Sequence, residues 1–149
     1  MIIKSILQLV KSNQISKDLG LKMIQNIQKL KGLSVEDFPK VQFAKQDIYV
    51  EGHKVFDQKV LLGATYISEA LKVISELYGE VLPTQLNKVS FLKPLVLDND
   101  QSEAQVVTSM FLKGEHLKFE VKFKFQNSEW NITSTGDVEV VAKKEKRID

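Results

Sequence analysis

Cysteine is absent from the 149 residues. That excludes disulfides, zinc–thiolate sites and a cysteine nucleophile. Histidine occurs only at His53 and His116, far apart in the chain, so a histidine-rich metal site is not expected. The seven glycines are scattered. None builds a GxGxxG or GxxxxGK[ST] phosphate loop, and no Gly-x-Ser-x-Gly elbow occurs. No cofactor is therefore expected. No apolar run approaches the ~20 residues needed to cross a bilayer. The opening MIIKSILQLVKS is too short for a secretory apolar core and no small-residue cleavage site follows it. Excess charge is also lacking, at a net +2. The one dense basic run, Lys143-Lys144-Glu145-Lys146-Arg147, contains an acid and no aromatics. It reads as a solvated tail rather than a nucleic-acid or membrane patch. The expectation is a soluble cytoplasmic protein with neither nucleic acid nor membrane as partner.

What is present is enough apolar material, 43% of residues, to bury one core without staples. Residues 2–31 read as two helices. Ile2, Ile3, Ile6, Leu7, Leu9 and Val10 form a short stripe, broken at Asn13-Gln14. Ser16 is placed to cap a second helix, with Asp18 in its first turn at the positive helix end. Leu19, Met23, Ile27 and Leu30 then recur at helical spacing, and Gly32 stops the element. So short a pair is not stable alone. Its stripe must pack on the main domain or on another protein. The division expected is a helical segment at 1–32, a linker to Pro39, a body at 40–142 and a charged tail at 143–149.

In the body, Val41–Phe43 and Ile48–Val50 read as short strands. Ala64, Ile67, Leu71, Ile74 and Leu77 lie at helical spacing, with Gly79 as the stop. Only strands follow. Ala104, Val106, Thr108, Met110 and Leu112 alternate up to a turn at Lys113–His116. Leu117, Phe119, Val121, Phe123 and Phe125 alternate with Lys118, Glu120, Lys122 and Lys124, the pattern of an antiparallel strand buried on one face. Trp130 to Val140 completes the sheet. One apolar helix against one long antiparallel sheet is an α+β layout, a single hot-dog fold with an N-terminal helical pair. Leu71, Ile74, Phe119, Val121 and Phe123 are expected to be buried together.

His116 falls in a turn and reads as exposed. His53 differs, because it ends an extended segment shortly before the helix, and histidine is the side chain best suited to move protons near neutral pH. Spacing alone leaves it open whether His53 is a base or a polar residue at a strand end. The stretch Gly52-His53-Lys54-Val55, followed by Val60-Leu61-Leu62-Gly63-Ala64-Thr65-Tyr66-Ile67, resembles the dehydratase domain of modular polyketide synthases. Two later stretches continue the resemblance in order and spacing: Val89-Ser90-Phe91 through Pro94-Leu95-Val96-Leu97, and Trp130 through Gly136-Asp137-Val138. The helical pair more loosely resembles segments at polyketide synthase subunit termini, for which docking is a common role. On that reading its removal leaves residues 40–141 folded.

The resemblance implies the first of two fused hot dogs. In that family the histidine removes the α-proton of a β-hydroxyacyl chain, held on the phosphopantetheine of an acyl carrier protein. An aspartate from the second hot dog protonates the departing hydroxyl. His53 is the catalytic residue implied here. The implied partners are acyl carrier protein, other polyketide synthase subunits, and either a second copy of the chain or another hot dog. The sequence departs from the family pattern at Asp57 (glycine in the family), Leu62 (proline), Ser68 (glutamate) and Thr133 (histidine). The second half with its aspartate is not found. Glycine permits close backbone approach and proline presets a turn, so the loop carrying His53 is expected to be reshaped. Three readings stay open. The chain is half of a split or truncated dehydratase and inactive alone, or a non-catalytic docking and dimerisation module, or a stand-alone acyl-thioester hydratase or thioesterase.

Overall fold

The computed structural model describes residues 2–44, 54–55, 58–60, 72–73, 75–76, 84–98, 100–126 and 128–140. Two helices come first, α1 (Ile2–Lys11) and α2 (Lys17–Lys29). Single 3-10 turns follow at Leu30–Gly32 and Val35–Asp37. The strands are β1 (Lys40–Ala44), β2 (Lys54–Val55), β3 (Gln58–Val60), β4 (Thr84–Phe91), β5 (Val96–Leu97), β6 (Glu103–Lys113), β7 (His116–Lys124) and β8 (Asn131–Val140). Residues 72–73 and 75–76 are helical. Leu71 and Ile74 lie outside the described residues, as does the segment Ile48–Val50.

The helical pair begins and ends where its side chains dictate. Asn13 closes α1 in the left-handed region at φ 58°, which asparagine tolerates better than most residues. The Leu19 N–H donates to Ser16 Oγ at 3.1 Å, the cap expected from sequence. The stretch read as a linker is more ordered than that. Ser34 and Asp37 form a reciprocal capping box around the second 3-10 turn.

The main sheet is antiparallel throughout, in the order β1-β6-β7-β8-β4. Its register sorts the side chains by face. Met110 lies opposite Phe119, Val106 opposite Phe123, and Leu117 opposite Val138. These make the apolar face. Lys118, Glu120 and Lys122 point the other way, where Lys118 pairs with Asp137 and Lys122 with Glu120. Phe119, Val121 and Phe123 are buried together as expected, and Val73 from the helical residues packs against the same cluster. The architecture is an α+β hot dog, a helix-covered antiparallel sheet.

The helical pair belongs to this core. Ile2, Ile6, Leu9, Met23, Ile27 and Leu30 are all buried and continuous with the sheet residues. The α1 helix lies against α2 and β8, and the turn after α2 lies against β6. The Ile2 N–H donates to the Glu115 carbonyl in the β6–β7 turn at 3.2 Å. Gly20 lets the helices close on each other, since a Cβ there would sit 2.5 Å from Val10 Cγ2. The apolar stripe thus has its partner within the chain, and the outer faces of the helices are left for any contact with other molecules.

Two polar groups interrupt the apolar face. Thr108 and Ser134 flank Val121 in one cross-strand row. Both are buried, and neither hydroxyl has a hydrogen-bond partner among the described residues. A buried unmet hydroxyl costs about 1–3 kcal/mol. Thr108→Val and Ser134→Ala are therefore each expected to raise stability by about 1 kcal/mol, read as a higher urea midpoint at unchanged m-value. A lowered midpoint would mean that the hydroxyl is satisfied in solution.

Candidate active site

His53 lies outside the described residues, and so do Asp57, Leu62 and Ser68. What is described is the frame on either side of them. β2 begins at Lys54, the residue after His53, and pairs antiparallel with β3. β3 pairs with β5 through Lys59 opposite Leu97 and Val60 opposite Val96. Leu95 and Leu97 are fully buried in the core. The small β2-β3-β5 sheet is therefore anchored through β5, and its far strand starts beside His53. Strands of two or three residues carry no periodicity, so this sheet has no signature in the sequence.

The other two candidate stretches meet as neighbouring strands. Ser90 pairs with Thr135 and Phe91 with Ser134. The chain after β4 is stitched to β8 twice more. The Leu92 N–H donates to the Thr133 carbonyl at 2.8 Å, and Thr133 Oγ1 donates a short bond to the Lys93 carbonyl. Lys93 Nζ also reaches Asn131 Oδ1 at 3.0 Å. Thr133, where the resembled family has histidine, is buried. Its hydroxyl is occupied by the backbone and holds the strand connection rather than serving proton transfer. Three stretches distant in sequence are thus joined through two strand pairs, β3 with β5 and β4 with β8.

Trp130 sits at the outer rim of this region. Lys124 Nζ lies 4.8 Å from its ring centroid, a cation–π distance. Lys40 donates a hydrogen bond to the exposed Glu36 carboxylate and holds it below the usual carboxylate range, and a hydrogen bond from Trp130 adds to the effect. On β8, the hydrogen bond from Lys118 likewise holds the Asp137 carboxyl below its usual range. Both are structural ion pairs on the polar side of the sheet.

His116 is exposed at the first residue of β7, opposite Lys113, as expected of a turn residue. An open cleft of about 720 Å³ at the ends of β1, β6 and β7 is lined by Gln42, Glu103, Gln105, Lys124 and Phe125 among others. No histidine is among its described lining residues. No group of three or more histidines or carboxylates that could hold a metal occurs among the described residues. Nor is any helix among them long and apolar enough to cross a membrane.

Residues 32–124, more than half of the chain, match the family model of the polyketide synthase dehydratase domain. The chain belongs to the polyketide synthase dehydratase family. The chain is also 33% identical over 61 residues to polyketide synthase PksR of Bacillus subtilis (strain 168), a match covering 41% of this chain and 2% of that protein. Among solved structures, a trans-acyltransferase polyketide synthase enoyl-isomerase superposes with a TM-score of 0.64 at 21% identity, covering 75% of this chain and 45% of the other. An N-terminal dehydratase from the difficidin assembly line gives a TM-score of 0.64 at 16% identity, covering 75% and 41%. The dehydratase domain from the CurJ module of the curacin polyketide synthase gives 0.61 at 19%, covering 72% and 38%. The chain spans less than half the length of each of these structures. It corresponds to the N-terminal hot-dog half of such a domain.

Proposed function

We propose that this chain supplies the base half of a dehydratase acting on β-hydroxyacyl chains carried by acyl carrier protein. His53 takes the α-proton, and the electrons of that C–H bond form the double bond. The β-hydroxyl leaves as water, protonated by an acid on a second hot dog. The observation that carries the reading is the family match combined with coverage below half of each similar structure, which leaves room for one more hot dog. The adjacency of the three dehydratase-like stretches supports it. The complement is a second hot dog, whether on the same polypeptide, on a second copy of the chain or on a separate protein, within a polyketide synthase of the cytoplasm.

A base without its acid leaves hydroxide as a poor leaving group, and each such group typically contributes ~10²–10⁴-fold. The isolated chain is therefore expected to be inactive. Intact-protein mass spectrometry of a carrier protein loaded with a β-hydroxyacyl chain reads the loss of one water. Turnover is expected only after a second hot-dog chain is added, and His53→Ala should abolish it. Turnover by the isolated chain that disappears in His53→Ala would overturn the half-site reading in favour of a self-sufficient homodimer.

A second reading, a non-catalytic docking and dimerisation module, draws support from the substitutions at Asp57 and Leu62. It predicts no turnover under either condition. Because one similar structure is an enoyl-isomerase, the assay should also follow double-bond position by chromatography of the released acyl chain. That reaction leaves the mass unchanged and needs no departing hydroxyl.

A further inference from the structure

We propose that Thr133 is a positioning residue for His53, acting through the Lys93 carbonyl and the small β2-β3-β5 sheet. The inference rests on the reading of His53 as the base, and adds the residue that aims it. Thr133 stands at a break in the β7–β8 ladder. Val121 pairs with Ser134 and Lys122 with Ile132, so Thr133 is the extra residue of a bulge. Bulges re-aim side chains. Here the freed hydroxyl donates to the Lys93 carbonyl, on the chain that leaves β4.

That chain needs an external hold. Phe91, Leu92, Lys93 and Pro94 are all exposed, so packing does not fix them. Three hydrogen bonds to β8 do. The Leu92 N–H donates to the Thr133 carbonyl at 2.8 Å, Lys93 Nζ donates to Asn131 Oδ1 at 3.0 Å, and Thr133 Oγ1 donates to the Lys93 carbonyl. Proline holds its own φ within a narrow range, so Pro94 passes on to Leu95 the orientation set at Lys93. Leu95 and Leu97 are buried. Apolar burial is non-directional, and sets how deep β5 lies rather than how it is turned. Hydrogen bonds supply the direction. β5 then pairs with β3 and β3 with β2, whose first residue follows His53. Thr133 is 1% exposed, which shields its hydroxyl from water.

The test is nuclear magnetic resonance of the full chain with isotopically labelled imidazoles. The chain has two histidines, and exposed His116 at the start of β7 is the internal reference. A His116→Gln variant tells the two sets of signals apart. Thr133→Val keeps the side-chain shape and removes the hydroxyl. It is expected to displace the His53 imidazole signals and the amide signals of β3 and β5, with the His116 signals in place. Thr133→Ser is expected to restore them. In the dehydration assay with a complementing hot dog, kcat should fall about ten-fold in Thr133→Val and recover in Thr133→Ser, because a misplacement of ~1 Å can cost ~10²-fold. Unmoved His53 signals in Thr133→Val would overturn the proposal even if the urea midpoint fell, since the bond would then be structural only. Failure of Thr133→Ser to restore the signals would overturn it as well. If Thr133→Val does not fold, Asn131→Ala, which removes the neighbouring bond to Lys93, carries the test on the same signals. The two readings fail separately. A wild-type chain without turnover under any condition overturns the base reading, while the imidazole signals still decide whether Thr133 positions His53.

Discussion

A chain lacking residues 1–32 is expected to lose cooperative unfolding, not merely a binding partner. Six side chains of the helical segment are at most 4% exposed, and they form one cluster with Phe119, Val121 and Val138. Burial of each such side chain is worth roughly 1.5–3 kcal/mol relative to exposure. Their gross contribution is therefore comparable to the whole net stability of a typical domain, about 5–15 kcal/mol. Removal also leaves the sheet side chains that they cover open to water. The measurement is thermal unfolding by circular dichroism, paired with binding of an apolar dye. A broad, shallow transition with strong dye binding is expected. A sharp transition without dye binding would make the pair a separable appendage, as the sequence resemblance had it.

The second large effect centres on Phe119 and Gly136, which face each other across β7 and β8. Phe119 is fully buried. A Cβ on Gly136 would sit 2.5 Å from Phe119 Cε1 and 2.8 Å from Cζ, with Val89 Cγ2 at 3.3 Å. The ring occupies the place of a side chain, which is why glycine stands there. Phe119→Ala is expected to cost about 3–5 kcal/mol as a cavity. Gly136→Ala is expected to cost about 1–3 kcal/mol by overpacking. The pair should not add. Once the ring is gone the new methyl has space, so the double variant should be more stable than the sum of the two losses allows by at least ~0.5 kcal/mol. Urea unfolding of the four proteins in the cycle measures this. Strict additivity would mean that the ring does not pack over Gly136.

The parts legible in the sequence were those with strong periodicity. The alternation from Leu117 to Phe123 told which face of β7 is buried, and Ser16 told where α2 begins. The stripe on the helical pair announced burial, but a stripe does not name its partner. Only the tertiary contact of α1 with β8 supplies that. The β2-β3-β5 sheet stayed hidden because two- and three-residue strands cannot display a period of two. At the candidate site, His53 was visible through residue type and surroundings, and Thr133 through its place in the third motif. Its role as a clamp on the Lys93 carbonyl was not, because that bond joins residues 40 positions apart.

The outer strand β4 carries one more consequence. Its pairing with β8 breaks between Asn87 and Ser90, and Lys88 sits there at φ 53° with its side chain exposed. Among the described residues this strand has β8 on one side only. An unbroken eight-residue edge would be a template on which copy after copy could stack into a fibre. The kink and its cation divide that edge into runs shorter than the six or seven residues a stacked β-fibre needs. The kink thus keeps this edge from templating a fibre, even though the exposed Phe91 and Leu92 follow directly on it.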